Sequence, residues 1–187
     1  MRAAAGGLAS WLASPRRPIA RETGGTWTSV KPIPVGANEV IGANVNGRFV
    51  AYGGCIYVAG GRVGSAFVGG SSNISANEEY DIAKDTWRPR ALMPTPRSGC
   101  VATALDGKLH VIGGESVQRA FTGVFDAHEV YDPATNAWSV AQSMPTARHA
   151  FAIATINGRI YTTTGMTTPG TGGGPATGAA VTEVFSW

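Results

Sequence analysis

Short apolar runs alternate with glycine-containing turns along most of the chain, which is the pattern of an antiparallel β-sheet protein. The runs Cys100–Leu105 and Lys108–Ile112 flank the pair Asp106-Gly107, and the run Phe151–Ile156 is followed by Asn157-Gly158. Asp-Gly and Asn-Gly supply the positive φ angles that a two-residue hairpin requires. The pattern therefore predicts two β-hairpins whose first strands are rich in small residues.

These hairpins belong to an internal repeat. Trp87 and Trp138 are 51 residues apart, and the same spacing separates the segment Met93–Arg97 from Met144–Arg148. A looser third copy lies upstream, because Trp27 precedes the next motif proline by seven residues, as the other two tryptophans do. A fixed period of this length indicates a repeat architecture in which neighbouring copies pack on one another.

Each copy predicts four short strands. In the first copy we place strand one at about Arg48–Tyr52 and a turn at Gly53-Gly54, with about seven extra residues within Val35–Asn46. The third strands are expected at Glu78–Asp81, Glu129–Asp132 and Val181–Phe185. Fourth strands are expected at Trp87 and Trp138, so the last copy has three strands.

The order Gly-Gly, Tyr-Asp and Trp at this spacing resembles the kelch repeat over about residues 26–187. The resemblance implies an all-β, kelch-type β-propeller, here an incomplete ring of about three four-stranded blades. Blades are expected at about residues 37–90, 97–141 and 148–187, with an extra N-terminal strand at residues 26–30. The repeat residues expected to be structural are Gly60, Gly61, Tyr80, Trp87, Arg97, Gly113, Gly114, Tyr131, Trp138 and Arg148. We expect the two arginines to hydrogen-bond backbone between blades.

Three blades do not close a ring, since closed propellers have about four to eight. Two alternatives follow. Either the chain is a fragment of a longer propeller, or two copies form a homodimer that completes a six-bladed ring. In the homodimer, the strand that contains Trp27 would supply the fourth strand that the last blade lacks.

The ligand face of similar propellers is built from loops at one end of the channel. By this resemblance, the candidate ligand-binding positions are the residue after each Gly-Gly pair and the residue after each motif arginine. In this chain they are Arg62, Ser98, Glu115 and His149. Met166 follows a degenerate pair, Thr164-Gly165, and is left out of the set.

The resemblance favours a protein- or peptide-binding module, because most kelch propellers recognise proteins. The alternative is a fragment of a sugar-acting propeller enzyme that resembles sialic-acid mutarotase or galactose oxidase. In that enzyme Arg62, Glu115 and His149 would act as acid, base or clamp. A purely structural role within a larger surface protein is the third hypothesis. No catalytic residue, metal ligand or cofactor is predicted, since the histidines lack metal-ligand spacing.

Charge and hydropathy limit the kinds of partner that the sequence predicts. The net charge is only +3 and no basic run exceeds Arg16-Arg17, so a nucleic-acid partner is not predicted. No apolar stretch approaches the ~20 residues of a membrane span. Residues 1–25 are interpreted as a disordered leader or a weak signal segment, which leaves a cytoplasmic and an exported location open.

Three smaller features receive ordinary interpretations. Cys55 and Cys100 are expected to be buried thiols rather than part of a disulfide framework. The acids of the third strands, among them Glu79 and Glu129, are expected to have turn and surface roles. Asn73-Ile74-Ser75 matches the N-glycosylation pattern, which has meaning only in a secreted eukaryotic protein.

Overall fold

The structure, a computed structural model, describes residues 28–32, 34, 41–42, 55–63, 72–118, 120–170 and 177–187. Within these ranges the regular structure is β throughout and includes no helix. The strands are β1 (Ile41–Gly42), β2 (Cys55–Ala59), β3 (Arg62–Val63), β4 (Ser72–Asn73), β5 (Asn77–Asp81), β6 (Thr86–Pro89), β7 (Val101–Leu105), β8 (Lys108–Ile112), β9 (Glu115–Gln118), β10 (Phe121–Val124), β11 (His128–Asp132), β12 (Ala137–Val140), β13 (Ala152–Ile156), β14 (Arg159–Thr163) and β15 (Thr182–Phe185).

Three antiparallel sheets form the blades. Blade one has the order β1-β2-β5-β6, blade two has β7-β8-β11-β12, and blade three has β13-β14-β15. Two short hairpins, β3–β4 and β9–β10, lie between the second and third strands of blades one and two. The predicted all-β, kelch-type propeller fold is confirmed, and blade three has three strands within the described residues.

The tight turns follow the dipeptides that predicted them. Asp106 and Gly107 have φ angles of 51° and 74°, and Asn157 and Gly158 have φ angles of 49° and 71°. Positive φ at both central positions matches the right-handed twist of the flanking strands. Each dipeptide therefore joins the first and second strands of its blade, as expected.

The tryptophans of the fourth strands bind the segment that leads into their own blade. Trp87 Nε1 donates to Lys31 O at 3.1 Å, and Trp138 Nε1 donates to Ala91 O at 2.8 Å. Each indole ring also packs on the tyrosine of the neighbouring third strand, with centroids 5.2 Å apart at Tyr131. Each tryptophan thus ties the outer edge of its blade to the incoming chain.

The Gly-Gly pairs lie where the next blade comes closest. Gly60 and Gly113 have φ angles of 66° and 63°. A Cβ on Gly60 would lie 2.9 Å from Arg97 O, and one on Gly113 would lie 2.5 Å from Arg148 O. Only glycine satisfies both the left-handed backbone and this close approach.

The motif arginines differ in detail from the expectation. Arg97 donates to Val111 O at 3.1 Å and forms an ion pair with Glu129 at 2.5 Å, all within blade two. Arg148 forms the equivalent ion pair with Glu183 in blade three. The expected hydrogen bonds to backbone are present for both arginines. The expectation that they link two blades is wrong for Arg97, because Gly113 and Val111 belong to the same blade as Arg97.

The acids of the third strands also differ from the expectation. Glu129 is buried, and Glu79 is fully buried, where it accepts hydrogen bonds from Tyr57 at 2.8 Å and Arg88 at 2.6 Å. Burial raises the pKa of Glu79, but the bonds from Tyr57 and Arg88 outweigh burial and hold the pKa below its ordinary value. The surface role expected for these two acids is therefore wrong.

The first strand of blade one is not where the sequence placed it. Ile41 of β1 pairs with Ala59 of β2, as the first residue of strand one does in blade two. β1 therefore takes the strand-one position beside Val58 and Ala59, and it begins seven residues before the start that the sequence predicted for this strand. The segment Arg48–Tyr52 and the pair Gly53-Gly54 lie outside the described residues.

Part of the predicted N-terminal strand at residues 26–30 can be compared with the structure. Thr28–Val30 form no β-ladder. Thr26 and Trp27 lie outside the described residues, as does the segment 1–25 that was interpreted as a leader. The expectation of a strand is therefore not met over its described half.

Apolar clusters fill the junctions between the blades. The junction of blades one and two holds Tyr57, Met93, Val111 and Tyr131, together with both cysteines. Cys55 and Cys100 are buried and form no disulfide, as the sequence indicated. Burial, and then the nearby Glu79 carboxylate, raise the pKa of Cys55 to about 11.

Candidate functional site

Three connections between second and third strands form what we call the hairpin rim. The rim consists of the β3–β4 hairpin, the β9–β10 hairpin and the segment in which Met166 pairs with Gly178. Each connection begins directly after the Gly-Gly position, at Arg62, Glu115 and Met166. Met166 thus takes the third equivalent position, although Thr164-Gly165 obscured this in the sequence.

Backbone pairing brings the two kinds of predicted position together. Ser98 and Glu115 exchange two backbone hydrogen bonds, of 2.7 and 3.1 Å. His149 and Met166 exchange two such bonds, of 2.9 and 3.0 Å. The residue after each motif arginine therefore lies beside the residue after the Gly-Gly position in the same blade.

The four predicted residues meet at the Glu115 carboxylate, and we call them the rim cluster. Arg62 Nη1 lies 3.2 Å from Glu115 Oε1 and 3.5 Å from Ser98 Oγ. His149 Nε2 lies 3.5 Å from Glu115 Oε2. One carboxylate thus joins side chains from all three blades.

The rim cluster is buried. Ser98 is 0% exposed, Glu115 is 2% exposed, and Arg62 and His149 are each 6% exposed. Charges at this depth require close partners, and the Arg62–Glu115 pair supplies them for both side chains. The predicted residues therefore face one another, and an approaching partner meets other parts of the rim first.

Two further contacts on Glu115 were missed by sequence reasoning. Asn73 Nδ2 donates to Glu115 O at 3.0 Å, and the Gly170 amide donates to Glu115 Oε2 at 2.5 Å. His149 Nε2 also lies 3.0 Å from Thr168 O, a contact within blade three, whereas the Gly170 amide brings the described start of the glycine-rich connection against blade two. Asn73 was noticed only for its glycosylation pattern, and nothing in that pattern indicated this contact.

Apolar side chains are exposed on the two rim hairpins. Val63 of β3 is 44% exposed and Phe121 of β10 is 47% exposed. The Phe121 ring lies 5.1 Å from the Phe125 ring, and a Cβ on Gly123 would lie 2.8 Å from Phe121. Glycine at position 123 therefore lets the aromatic ring lie flat on its own hairpin.

A second buried polar group lies away from the rim, between blades two and three. His110 Nδ1 is 2.8 Å from His128 Nε2, and His128 Nδ1 is 3.2 Å from Gln142 O. Burial, and then the neighbouring His128, lower the pKa of His110 to about 4, and burial lowers the pKa of His128. Both imidazoles are therefore neutral at neutral pH. The described residues include no group of three or more side chains arranged to hold a metal ion.

A family model gives the first comparison with known proteins. The model of the Kelch motif matches residues 45–94 and 96–145, which together are 100 of the 187 residues. The two matches cover blade one from within its first hairpin and every strand of blade two.

Individual proteins give the second comparison. Kelch-like protein 41a of Danio rerio is 28% identical over 75% of this chain and 21% of its own length. Kelch-like protein 33 of Homo sapiens is 31% identical over 59% of this chain and 19% of its own length. The chain thus spans about a fifth of the length of these curated relatives.

A solved structure of YjhT gives the third comparison. It matches this chain with a TM-score of 0.57 and 28% identity, over 72% of this chain and 35% of the YjhT chain.

Among the described residues, no helix is long and apolar enough to cross a membrane.

Proposed function

The chain belongs to the kelch-repeat family, and on that premise we propose that it is a protein- or peptide-binding module that uses the hairpin rim. One observation carries the proposal: the hairpins of two blades and the paired segment of the third are joined through Glu115. Binding residues are commonly found on loops that a rigid scaffold positions. The rim supplies such loops on three packed sheets.

The rim offers a mixed surface that suits a peptide. Val63 and Phe121 provide exposed apolar contacts, and aromatic side chains are frequent anchors of protein interfaces. The open edges of the two short hairpins can pair with an extended peptide backbone. We assign Arg62, Ser98, Glu115 and His149 to this site as the buried cluster that fixes the hairpins relative to one another.

A screen of the chain against a peptide array tests the proposal. Selected peptides are expected to lose about fivefold or more in affinity with Phe121→Ser or Val63→Ser. Val140→Ser is the matched control, because Val140 is exposed on the outer strand of blade two and lies outside the rim. Peptides that respond to Val140→Ser and not to the rim variants would place the binding surface elsewhere.

Two further variants test the buried cluster. Arg62→Ala and His149→Ala each remove a side chain that contacts Glu115, so the hairpins lose part of their anchorage. Both variants are expected to weaken every rim-dependent peptide while the β-sheet circular dichroism signal is retained. If both leave all detected interactions unchanged, the assignment of these residues is wrong.

A sugar-acting enzyme is the second candidate. The Arg62 guanidinium and the His149 imidazole each lie within 3.5 Å of the Glu115 carboxylate, and these three groups form an acid–base set. A sugar would have to displace the Gly170 amide to reach Glu115. Calorimetric titration with monosaccharides, showing heat that Arg62→Ala abolishes, would favour this candidate over the binding module.

Completion of the ring stays a prediction. The ring is completed either by further blades in a longer protein or by a homodimer of this chain. Light scattering on the folded chain separates the two, since the homodimer requires twice the 19.3 kDa mass of the chain.

A further inference from the structure

A backbone strap from blade three lies against the rim cluster. We define the strap as residues 166–170 and 177–178, which are described parts of the connection between β14 and β15. Thr167 N donates to Thr177 O at 2.9 Å, and Thr177 N donates to Thr168 Oγ1 at 3.2 Å. The two sides of the strap are therefore joined to each other before residue 170 reaches blade two.

The strap contacts blade two at the Glu115 carboxylate. The Gly170 amide donates to Glu115 Oε2 at 2.5 Å, while Arg62 Nη1 lies 3.2 Å from Glu115 Oε1. A hydrogen bond from an N–H group to a carboxylate is charge-assisted and is roughly twice as strong as one between neutral groups. Both carboxylate oxygens thus have a donor, and Glu115 is only 2% exposed.

The repeat explains why a backbone amide occupies this place. The first residue after the Gly-Gly position is Arg62 in blade one, Glu115 in blade two and Met166 in blade three. At the junction of blades one and two, the side chains at this position bind each other directly. The Met166 side chain has no hydrogen to donate, so at the next junction the carboxylate takes its donor from the Gly170 backbone. The strap amide therefore occupies an acceptor site that the equivalent side chain of blade three does not fill.

The charge of the site favours a neutral donor. Arg62 and Glu115 form a direct ion pair, so together they carry no net charge. A lysine or arginine brought to Glu115 Oε2 would lose its hydration beside the Arg62 guanidinium and would have no counter-charge of its own. A backbone amide makes the same hydrogen bond without that cost. A peptide that binds here is therefore expected to present a backbone N–H, and not a cationic side chain, to Glu115.

From these contacts we propose that the strap is an intramolecular occupant of the rim site, and that Glu115 Oε2 is the acceptor for a backbone N–H of the bound peptide. This role of the strap rests on the proposed function, since it requires that the rim binds peptides. A partner peptide carries a segment like Thr168-Pro169-Gly170, in which an amide follows a proline, and its N–H replaces the Gly170 amide. The strap lowers the affinity for such peptides, because a tethered occupant acts at a high effective concentration.

Two substitutions at one residue test the role of the amide. Gly170→Pro removes the N–H that Glu115 accepts, whereas Gly170→Ala keeps it. A Cβ on Gly170 would lie 3.5 Å from Glu115 Oε1, which is an ordinary contact, and the backbone of Gly170 is not left-handed. Gly170→Ala is therefore the matched control for loss of the N–H. His149→Ala does not replace this pair, because His149 contacts both Thr168 O of the strap and Glu115 itself.

A peptide copied from the strap is the probe. Labelled residues 166–171, MTTPGT with both ends blocked, carry the same amide without the tether. Fluorescence anisotropy is expected to show about tenfold tighter binding to Gly170→Pro than to the parent chain or Gly170→Ala, because the lost bond is one to a charged group. Circular dichroism reports that the sheets remain in both variants. Equal affinity for the three chains, or binding to none of them, would overturn the proposal.

The parent chain allows a second measurement that needs no variant. Its Gly170 amide is expected to exchange slowly with solvent deuterium, because the acceptor is a buried carboxylate. A saturating concentration of the strap peptide should accelerate this exchange about tenfold, since the peptide displaces the amide. The same peptide with Gly170→Pro should not accelerate it. A contact that only anchors the strap would stay protected with either peptide, and that result contradicts displacement.

Failure of the strap's role and failure of the proposed function give different results. If array peptides respond to Phe121→Ser while the strap peptide binds the three chains equally, the rim binds peptides and the strap does not compete with them, so the strap's role is wrong. If no array peptide responds to the rim variants while the strap peptide distinguishes Gly170→Pro from Gly170→Ala, the strap occupies an acceptor site on Glu115. That second result supports the occupancy and counts against the array test of the binding module.

Discussion

At position 164 the chain has threonine where blades one and two have glycine. Thr164 has a φ angle of 65°, almost the same as the 63° of Gly113. A β-branched residue in this region is strained, because its side chain crowds the backbone. Thr164 is exposed, whereas Gly113 lies against the backbone of blade three. Of these two positions, only position 113 has no room for a side chain.

Substitutions at these two positions should have opposite effects. Gly113→Ala is expected to lower the free energy of unfolding by about 3 kcal/mol, from left-handed strain and from contact with Arg148 O and Phe151. Thr164→Gly is expected to raise it by up to about 1 kcal/mol, because it relieves strain where no atom is displaced. Urea unfolding followed by circular dichroism measures both changes. A loss of stability in Thr164→Gly would contradict the strain assigned to that position.

The ion pairs of the motif arginines are a second residue-scale device. Arg97 is fully buried and pairs with Glu129, which also accepts a hydrogen bond from Thr95 at 2.6 Å. Blade three repeats this arrangement with Thr146, Arg148 and Glu183. In blade one the glutamate remains as Glu78, but alanine takes the arginine position at residue 37.

Neutralising the glutamate should therefore matter only where the arginine is present. Glu129→Gln leaves the buried Arg97 without its charged partner, so we expect a loss of about 3 kcal/mol in the free energy of unfolding. Glu78→Gln is the matched control and is expected to change it by less than about 0.5 kcal/mol. Equal losses in the two variants, measured by chemical denaturation, would show that the charge of Arg97 is not what Glu129 satisfies.

At the scale of elements, local chemistry made the strands of blades two and three predictable. Asp-Gly and Asn-Gly fix the hairpin turns, and the recurring tryptophans mark the fourth strands. In blade one the matching dipeptide is Asn46-Gly47, which follows Pro34 by twelve residues as Asp106-Gly107 follows Pro94. The prediction used Gly53-Gly54 instead and therefore placed strand one at Arg48–Tyr52. The better guide was the motif proline, since Ile41 follows Pro34 by seven residues, as Val101 follows Pro94.

The sequence predicted which residues come together in the rim cluster, but not that they are buried against one another. Arg62, Ser98, Glu115 and His149 stand at fixed offsets from repeat residues, so the period alone brings them to one rim. Their mutual burial and the Gly170 contact depend on where the glycine-rich connection lies, and its sequence has no periodicity to indicate that. Long-range contacts of this kind leave no local signal in a single sequence.

At the scale of the whole molecule, the two blade junctions differ in chemistry. The junction of blades one and two places Tyr57 on Tyr131, with ring centroids 5.6 Å apart, and buries the Glu79 carboxylate, which pairs with Arg90 and with the exposed Arg88. The junction of blades two and three buries the pair His110 and His128 against Phe185. One junction therefore depends on a carboxylate that stays ionised, and the other on imidazoles that stay neutral.

This difference predicts how stability changes with pH. The pKa of His110 is about 4 in the folded chain and 6.5 in its ordinary state, so the unfolded chain binds more protons between these values. The contribution of the neutral His110 to the free energy of unfolding is fully present above pH 6.5 and is lost as the pH falls towards 4. We expect a loss of about 2 kcal/mol between pH 6.5 and about pH 5, from 1.36 kcal/mol per pH unit.

Other groups near the pair do not reproduce this window. Lys108 lowers the pKa of His110 and Arg97 lowers the pKa of His128, so both act in the same direction as burial. The pKa values of Glu79 and Glu183 lie below their ordinary 4.5, so the stability they contribute is lost only as pH falls below that value. A decline between pH 6.5 and pH 4.5 therefore reports the histidine pair.

Two variants taken from the repeat itself assign the decline to the second junction. His110→Tyr places there the residue that the other copies have, Tyr57 and Tyr161, and His128→Asn copies Asn77. Urea unfolding at each pH should give a flatter profile for either variant, while Tyr161→Phe in blade three should keep the slope of the parent chain. Because blade three packs on blade two through this pair, protonation should loosen that junction first, and amide exchange in β14 and β15 should accelerate before exchange in β2 and β5. Uniform acceleration in all blades would mean that acid unfolds the sheets together and that the junctions do not differ as their chemistry indicates.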